Sequence, residues 1–359
     1  MRPIAIAGVL LLAATLLFGG DSVQARSPLA LERPSLLSNK AVGAAMLAVT
    51  RAGNRLVAVG ERGIVLLSDD SGLSWRQVVT PVRASLTTVT FVGEQKGWAA
   101  GHLGVILHTE DGGESWVKQF DGIQAAALAL AAAERRAAAE PDPEKREDLL
   151  FSARRLVEDG PDKPFLDLCF LDEQTGFVVG AFNLIFRTTD GGATWKPWQD
   201  RVENPMELHF YGIQADRGML YIAGEQGLLL RSTDGGAHFN ALASPYEGSY
   251  FGLVADPGGG VVVFGLRGHV YRSGDGGVSW NPVETGIPMS LSAGIRIAGG
   301  KVVLLSQTGD LLVSADGGRT FKRLPDGHPV PATDVVQTAD GSLVITSLRG
   351  IQHVTALGK

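Results

Sequence analysis

The sequence predicts an all-β protein, a seven-bladed β-propeller with a helical hairpin inserted between blades two and three. Three observations lead to this fold: a motif that recurs about every 41 residues, an abundance of glycine, and one long interruption of the period. The chain has 359 residues, of which 45% are apolar and 47 are glycine. This composition supports a large core with many turns and excludes a disordered chain.

The repeated unit contains two short apolar runs joined by a glycine turn, followed by S/T-x-D-x-G-x-S/T/H and then Trp or Phe. The aspartates of the six complete motifs are Asp70, Asp111, Asp190, Asp234, Asp275 and Asp316. Four short strands in about 41 residues are typical of a propeller blade. Six complete units and a truncated seventh unit predict seven blades. We expect Leu31–Asn39 to close the ring by adding an outer strand beside Gly350–Thr355, because closure removes an exposed sheet edge.

The S/T-x-D-x-G-x-S/T/H motif is the Asp box of bacterial neuraminidase repeats. Its aspartate is predicted to accept backbone N–H bonds within its own turn, and the glycine permits a positive φ. The aromatic residue is predicted to pack between adjacent sheets. Six equivalent aspartates at six corners of a ring cannot form one active site, so the sequence indicates a structural role for them.

One interval between Asp-box aspartates, from Asp111 to Asp190, is 79 residues long, and the excess lies within residues 121–164. The alanine-rich stretch Gln124–Glu140 favours a helix. Asp142 is positioned to cap a second helix that begins at Pro143. We therefore expect a helical hairpin, which is either a packed lid or a docking arm.

Residues 1–25 have the pattern of a secretory signal peptide, with a basic start, an apolar run and a small-residue cleavage site. The mature propeller is then 26–359, exported to a periplasm or a thylakoid lumen, with no later membrane span. The net charge of −6 argues against a nucleic-acid partner. The single cysteine, Cys169, excludes an intrachain disulfide and a Cys-based zinc site, and we predict no metal and no cofactor. No cysteine follows the apolar run, so we do not expect a lipoprotein.

Neighbouring strands in a blade run in opposite directions, so the turns between strands two and three lie opposite the Asp boxes, as do the links between blades. Three of these turns carry Arg62, Arg267 and Arg349, and the links add Arg83 and Arg201. Guanidinium groups bind carboxylates in a bidentate way, so these arginines are candidates for binding an acidic partner segment. The sequence leaves open the alternative that they are ordinary solvated surface residues.

The pattern G-x-R-G-x-I/V on this face, within seven units of an exported chain, resembles the photosystem II assembly and stability factor family. The resemblance covers the chain from about Leu31 to Val354. It implies a non-enzymatic propeller that binds newly made membrane-protein segments through an arginine patch, whose matching residues are Arg62, Arg267 and Arg349. The hairpin departs from the family pattern. Relatives in non-photosynthetic bacteria leave two partners open, a photosystem-like membrane protein and an exporter of the resistance-nodulation-division type.

The competing hypothesis is a sialidase-like glycoside hydrolase or a carbohydrate-binding propeller, because sialidases also carry Asp boxes. The Arg-Ile-Pro motif of sialidases is absent, and the most similar string is Arg33-Pro34. Glu61 and Glu225 share a face but belong to blades one and four, too far apart for the paired carboxylates that glycoside hydrolysis requires. We therefore assign no catalytic residue.

Overall fold

The computed structural model describes residues 28–256, 258–325 and 329–355. The predicted signal peptide lies outside these ranges. The described residues form 27 strands in seven antiparallel sheets, together with three α-helices. The first strand of each sheet contacts the first strand of the next sheet, and the first strand of the seventh sheet contacts that of the first. The seven-bladed propeller predicted from the repeat is therefore confirmed.

Chain order and strand order agree within every blade. The strands of blades one to three are β1 Met46–Ala52, β2 Arg55–Gly60, β3 Val65–Ser68 and β4 Arg76–Val78; β5 Leu86–Val92, β6 Lys96–Gly101, β7 Ile106–Thr109 and β8 Val117–Phe120; β9 Phe165–Phe170, β10 Gly176–Gly180, β11 Ile185–Thr188 and β12 Lys196–Pro197. Those of blades four and five are β13 Phe210–Asp216, β14 Met219–Gly224, β15 Leu229–Ser232 and β16 Asn240–Ala241; β17 Tyr250–Asp256, β18 Gly260–Gly265, β19 Val270–Ser273 and β20 Asn281–Val283. Those of blades six and seven are β21 Leu291–Arg296, β22 Val302–Ser306, β23 Leu311–Ser314 and β24 Lys322–Arg323; β25 Ala332–Gln337, β26 Leu343–Ser347 and β27 Gly350–Val354.

The middle strands of each blade are buried on both faces, because each sheet packs between two neighbouring sheets. All five residues of β22 and all five of β26 are buried, and both strands are nearly continuous apolar runs. The first strands instead line a central channel. Each of them carries a β-bulge near its start, which shifts the register against the second strand.

The predicted closure of the ring by Leu31–Asn39 is wrong. This segment lies along the outer edge of blade one, where the Ser35 N–H donates to the Thr80 carbonyl at 2.9 Å. Its leucine, Leu31, is 2% exposed and packs in the apolar cluster of Val78 and Val82, between blades one and two. Burial of this side chain explains why the segment stays with blade one.

Within the described residues the seventh sheet has three strands. The ring closes through direct contacts between blades seven and one. The Val49 N–H donates to Asp334 Oδ2 at 2.9 Å, and the Thr333 hydroxyl donates to the Met46 carbonyl at 2.8 Å. The chain also passes over the end of blade seven, where a Cβ on Gly350 would lie 2.4 Å from the Val42 carbonyl oxygen.

The predicted helical hairpin between blades two and three is confirmed as α2, Gly122–Ala139, and α3, Pro143–Glu158; a short α1, Leu29–Glu32, precedes blade one. Asp121 and Gln124 form a capping box at the start of α2, and Asp142 accepts the Glu144 N–H at the start of α3. Buried alanines let the two helices approach closely. Contacts of α2 with β12 and with the turn after β6 place the hairpin against blades two and three.

Candidate protein-binding face

The propeller has two faces of different character. We call one the Asp-box face, because it carries the Asp boxes and the turns between strands one and two. We call the other the turn face, because it carries the turns between strands two and three, the links between blades and the hairpin. The channel opens between them.

On the Asp-box face, each box aspartate is saturated by hydrogen bonds within its own turn. Asp111 Oδ1 accepts the Thr109 hydroxyl at 2.8 Å and the Ser115 N–H at 2.9 Å, and Oδ2 accepts the Ser115 hydroxyl at 2.5 Å. The Gly113 N–H donates to Thr109 Oγ1 at 3.0 Å. The same pattern recurs at Asp70, Asp190, Asp234, Asp275 and Asp316.

These bonds favour the ionised carboxylate. The Ser74 hydroxyl and N–H and the Ser68 hydroxyl lower the pKa of Asp70 to about 2, and the pKa values of the other five box aspartates are lowered as well. A turn with similar hydrogen bonds joins β25 and β26 in blade seven and was not predicted from the repeat. There Asp340 accepts the Thr338 hydroxyl at 2.6 Å and the Ser342 N–H at 3.0 Å.

Most arginines of the Asp-box face are engaged in contacts within the protein, although Arg217, in the turn between β13 and β14, is exposed and makes no hydrogen bond or ion pair with the described residues. Arg55 contacts Asp69 at 2.6 Å and Glu114 at 2.8 Å. Arg296 pairs with Asp256 at 2.5 Å. Others bond to the backbone of the next Asp box, as Arg231 does to the Gly276 carbonyl at 2.7 Å. Charge on this face is therefore used to join neighbouring blades.

On the turn face, the turns of blades one to five share an unusual backbone. In blade one, Arg62 and Gly63 both have positive φ, 55° and 73°, and the Ile64 N–H donates to the Glu61 carbonyl at 3.0 Å. Two central residues with positive φ are the hallmark of a type I′ turn, which favours Asn or Gly at the first position. The first position instead holds Arg62, Leu103, Phe182, Gln226 and Arg267 in blades one to five.

The second residue of each turn is covered by the following inter-blade link. A Cβ on Gly63 would lie 2.2 Å from the Val82 carbonyl oxygen, and one on Gly268 would lie 1.9 Å from that of Ile287. Only glycine fits there, except in blade three, where Asn183 bonds to Asn204 at 3.0 Å. In blades one, three, four and five the N–H of the first residue donates to a side chain of the following link, and the side chains of Arg62, Phe182 and Arg267 are exposed. In blade two, Leu103 packs instead against the apolar cluster between blades one and two.

The guanidinium groups of Arg62, Arg267 and Arg349 are exposed, and within the described residues none of them makes a hydrogen bond or an ion pair. Arg349 lies in a different, shorter turn between β26 and β27. Blades seven and one are neighbours, so Arg349 and Arg62 are on adjacent turns. In blade six the corresponding turn carries Asp310, which pairs with Arg323 at 2.5 Å.

The two arginines predicted from the links are placed differently. Arg83 is on the turn face but half-buried, and its Nε donates to the Pro34 carbonyl at 2.9 Å. Arg201 is not on that face, which corrects the prediction. The link after β12 runs beside the outer edge of blade four, and Arg201 Nη1 lies 3.1 Å from His238 Nε2 in the fourth Asp box.

The central channel is a cavity of about 450 Å³ lined by the first strands of all seven blades. Asp167 and Asp334 occupy equivalent positions after the bulges of β9 and β25, and each accepts backbone N–H groups of its own blade and a neighbouring blade. Burial raises the pKa of each carboxyl to about 6. This pair was not predicted, although Asp167 inside the otherwise apolar strand β9 was a visible signal in the sequence.

No helix formed by the described residues is long and apolar enough to cross a membrane. Nor do these residues contain a cluster of three His, Cys, Asp or Glu side chains that could hold a metal ion.

The repeat and the geometry together define a class of protein, an Asp-box propeller whose turn face carries arginines without a partner among the described residues. Comparison with known proteins identifies the family. The family model described as "Photosynthesis system II assembly factor YCF48" matches residues 35–122 and 152–323. The chain therefore belongs to the Ycf48 family of photosystem II assembly factors. The unmatched stretch 123–151 contains most of α2 and the first half of α3, so the hairpin is additional to the family pattern.

Two relatives named photosystem II assembly lipoprotein Ycf48 align over short segments. The protein of Synechococcus sp. (strain CC9902) is 34% identical over 77 residues, 21% of this chain and 23% of the relative. A protein of Prochlorococcus marinus is 47% identical over 49 residues, 14% of each chain. The aligned segments thus span less than a quarter of these relatives.

Solved structures share the fold over nearly the whole chain. The structure described as YCF48 bound to D1 peptide has a TM-score of 0.63 at 17% identity and covers 91% of this chain and 100% of its own. YCF48 from Cyanidioschyzon merolae has a TM-score of 0.62 at 14% identity, covering 89% and 97%. At this level of identity the likeness concerns the fold alone.

Proposed function

We propose that this protein is an exported, non-enzymatic assembly factor that binds a segment of a membrane protein on its turn face. The observation that carries the proposal is the contrast in charge. Most arginines of the Asp-box face, with Arg217 as an exception, are bonded within the protein. On the turn face three arginines, Arg62, Arg267 and Arg349, present guanidinium groups that are unpaired among the described residues. Such groups are suited to grip carboxylates of a partner.

Membership of the Ycf48 family supports the assembly role, and a relative solved with a D1 peptide supports a membrane-protein segment as the partner. The exporter partner considered from the sequence has no support among these comparisons and is not proposed. Export rests on the pattern of residues 1–25.

A non-enzymatic role also accords with the carboxylates of the turn face. Glu61 accepts the Ala45 N–H at 3.2 Å, and Glu225 accepts the His209 N–H at 3.2 Å. Each carboxylate fixes a link to its own turn and belongs to a different blade. This arrangement offers no convergent acid and base for a glycosidic bond.

The test measures binding of a fluorescent D1 peptide by anisotropy at low and high salt. We expect the Arg62→Glu/Arg349→Glu variant to bind at least about ten-fold more weakly than the wild type, and its remaining affinity to depend less on salt. The control is Lys196→Glu/Lys322→Glu, which reverses two exposed charges beside the Asp boxes and should bind like the wild type. Equal binding by both variants would remove the turn arginines from the mechanism.

A variant in which a short Gly-Ser linker replaces the hairpin distinguishes its two roles. Weaker peptide binding in a stably folded variant would make the hairpin part of the binding face. Unchanged binding with lower stability would make it a packed lid.

A further inference from the structure

Four aromatic side chains cross the turn face from the foot of the hairpin to the mouth of the channel. The ring centroids are 4.6 Å apart for Phe182 and His209, 6.2 Å for His209 and Tyr211, and 5.5 Å for Tyr211 and Phe251. Each pair meets edge to face, which is a favoured aromatic geometry. We call these four residues the aromatic strip. They form one continuous surface on blades three to five.

The strip is open to a ligand. Phe182 is 54% exposed, and the other three side chains are partly exposed. Tyr211 and Phe251 are bulge residues of β13 and β17 and line the channel near the turn face. The Tyr211 hydroxyl makes no hydrogen bond to the described residues, so it remains available as a polar contact. Contiguous exposed aromatic surface with a polar border is typical of interaction sites.

The backbone of Phe182 is held in a conformation that aromatic residues seldom adopt. Its φ is +55° at the first position of the turn. Its N–H donates to His209 Nδ1 at 2.9 Å. In the corresponding turns of blades one, four and five, the acceptor of this N–H is a serine hydroxyl. A positive φ costs an L-residue roughly 1–2 kcal/mol relative to the right-handed region. Retaining an exposed phenylalanine at this cost points to a use for its ring.

The outer end of the strip meets the hairpin. Lys163 Nζ lies 5.2 Å from the centre of the Phe182 ring and is held by Asp159 at 3.0 Å and Asp162 at 2.5 Å. The Ser152 hydroxyl on α3 donates to Glu207 in the link before β13 at 2.8 Å. The hairpin thus borders the strip on the side away from the channel.

The channel at the inner end of the strip disfavours negatively charged side chains. The described lining of the channel includes the carboxyl groups of Asp167 and Asp334 and no Lys or Arg side chain. An acidic side chain entering there would be repelled by these groups and would lose its hydration without gaining a partner. Carboxylates of a bound segment must therefore remain outside the channel, toward the arginine-bearing turns of blades one, five and seven.

We propose that the aromatic strip binds an aromatic or aliphatic side chain of an extended protein segment, while acidic residues of the same segment contact the arginine-bearing turns. This inference rests on the proposed function and adds the apolar half of the recognised sequence. The partner it fits is a peptide with an apolar residue beside Asp or Glu. Aromatic and arginine anchors are the residue types that dominate binding energy in protein interfaces.

The test selects peptides from a random library of short linear sequences on the mature protein and then measures the affinity of each selected peptide. We expect enrichment of an aromatic or large aliphatic residue near acidic residues. The Phe182→Ser/Phe251→Ser variant should bind the selected peptide about ten-fold more weakly. For an analogue of the peptide in which serine replaces the apolar residue, this variant and the wild-type protein should have the same affinity.

The control is Leu73→Ser/Val278→Ser, which removes two highly exposed apolar side chains from the Asp-box face and should leave affinity unchanged. If the double strip variant does not fold, Phe182→Ser alone decides the matter, because most of that ring is outside the core. Wild-type affinity in a folded strip variant, or selected peptides without an apolar preference, would overturn the inference.

The Arg62→Glu/Arg349→Glu variant separates this inference from the proposed function. Loss of the preference for acidic residues with the apolar preference retained would support both. If the variant still selects acidic residues, the proposed arginine site is wrong. The contribution of the aromatic strip is then judged from the Phe182→Ser/Phe251→Ser variant alone. Acidic selection without an apolar preference would leave the proposed function in place and remove the strip.

Discussion

The Asp-box face and the turn face are built from the same seven repeats, yet most arginines of the first are bonded within the protein, whereas three arginines of the second have no partner among the described residues. On the Asp-box face each motif satisfies its own carboxylate, and Arg55 and Arg296 complete ion pairs across neighbouring turns. On the turn face Arg62 and Arg267 stand at strained turn positions without a partner among the described residues. Saturated groups contribute to stability, whereas unsatisfied exposed groups are available for binding. A conspicuous repeated motif and the proposed binding site thus lie on opposite sides of one ring.

The largest effect is expected at a glycine beneath the turn face. Gly268→Ala places a Cβ 1.9 Å from the Ile287 carbonyl oxygen at a φ of +74°. Because the obstacle is backbone, we expect a loss of about 3 kcal/mol in the free energy of unfolding, measured by urea denaturation. Gly286→Ala is the matched control, since it has a φ of +67° with open space around it and should cost only about 1 kcal/mol. Equal losses would show that the link does not press on the turn.

The next effect separates stability from binding on the Asp-box face. Asp111→Ala removes the acceptor of the Thr109 hydroxyl and of the Ser115 N–H and hydroxyl. We expect a loss of about 1–2 kcal/mol in stability with unchanged peptide affinity at a temperature where the variant is folded. A stable variant that has lost peptide binding would make the Asp box a binding element.

The channel provides a prediction about pH. A buried carboxyl whose pKa is raised from 3.8 to about 6 favours the protonated folded state, so its contribution to stability falls as pH rises through this interval. Between pH 5 and 7.5 the loss is at most about 1 kcal/mol for each of Asp167 and Asp334, because both are partly open to the channel. The Asp-box carboxylates, whose pKa values are lowered, act in the opposite sense and at lower pH.

Thermal unfolding of Asp167→Asn and Asp334→Asn variants across this range checks the prediction. We expect the melting temperature of each variant, relative to the wild type, to increase from pH 5 to pH 7.5. A difference that is independent of pH would mean that the carboxyls titrate normally.

The sequence was sufficient for the architecture because each Asp box marks the same corner of a blade. The spacing of Asp111 and Asp190 likewise located the hairpin, and Asp142 and Pro143 marked the start of its second helix. Closure was missed because the burial of Leu31 between two blades leaves no periodic pattern in the sequence. The placement of Arg201 was missed because a link can follow the outer edge of the next blade.

The aromatic strip and the turns with positive φ on the turn face were not predicted, for a different reason. Phe182 and Arg267 occupy a turn position where Asn or Gly is expected, so turn chemistry read from the sequence did not indicate a positive φ. Tyr211 and Phe251 come from separate blades, and only the bulges of their strands bring them to the channel mouth. Such violations of a local rule are where function is to be sought.

The smallest effect is the sharpest test of the contrast between the faces. Arg267 has a φ of +57°, makes no contact through its guanidinium group with the described residues, and is exposed. Arg267→Gly should relieve backbone strain and raise the free energy of unfolding by up to about 1 kcal/mol, because glycine adopts positive φ without a steric cost. The same change removes a proposed contact and should weaken binding of the D1 peptide severalfold. Urea denaturation and anisotropy on one preparation measure both effects. Arg267→Lys, which keeps the charge and the strain, should leave stability near the wild-type value. A glycine variant that gains stability and binds normally would show that this turn is strained for a reason other than the partner.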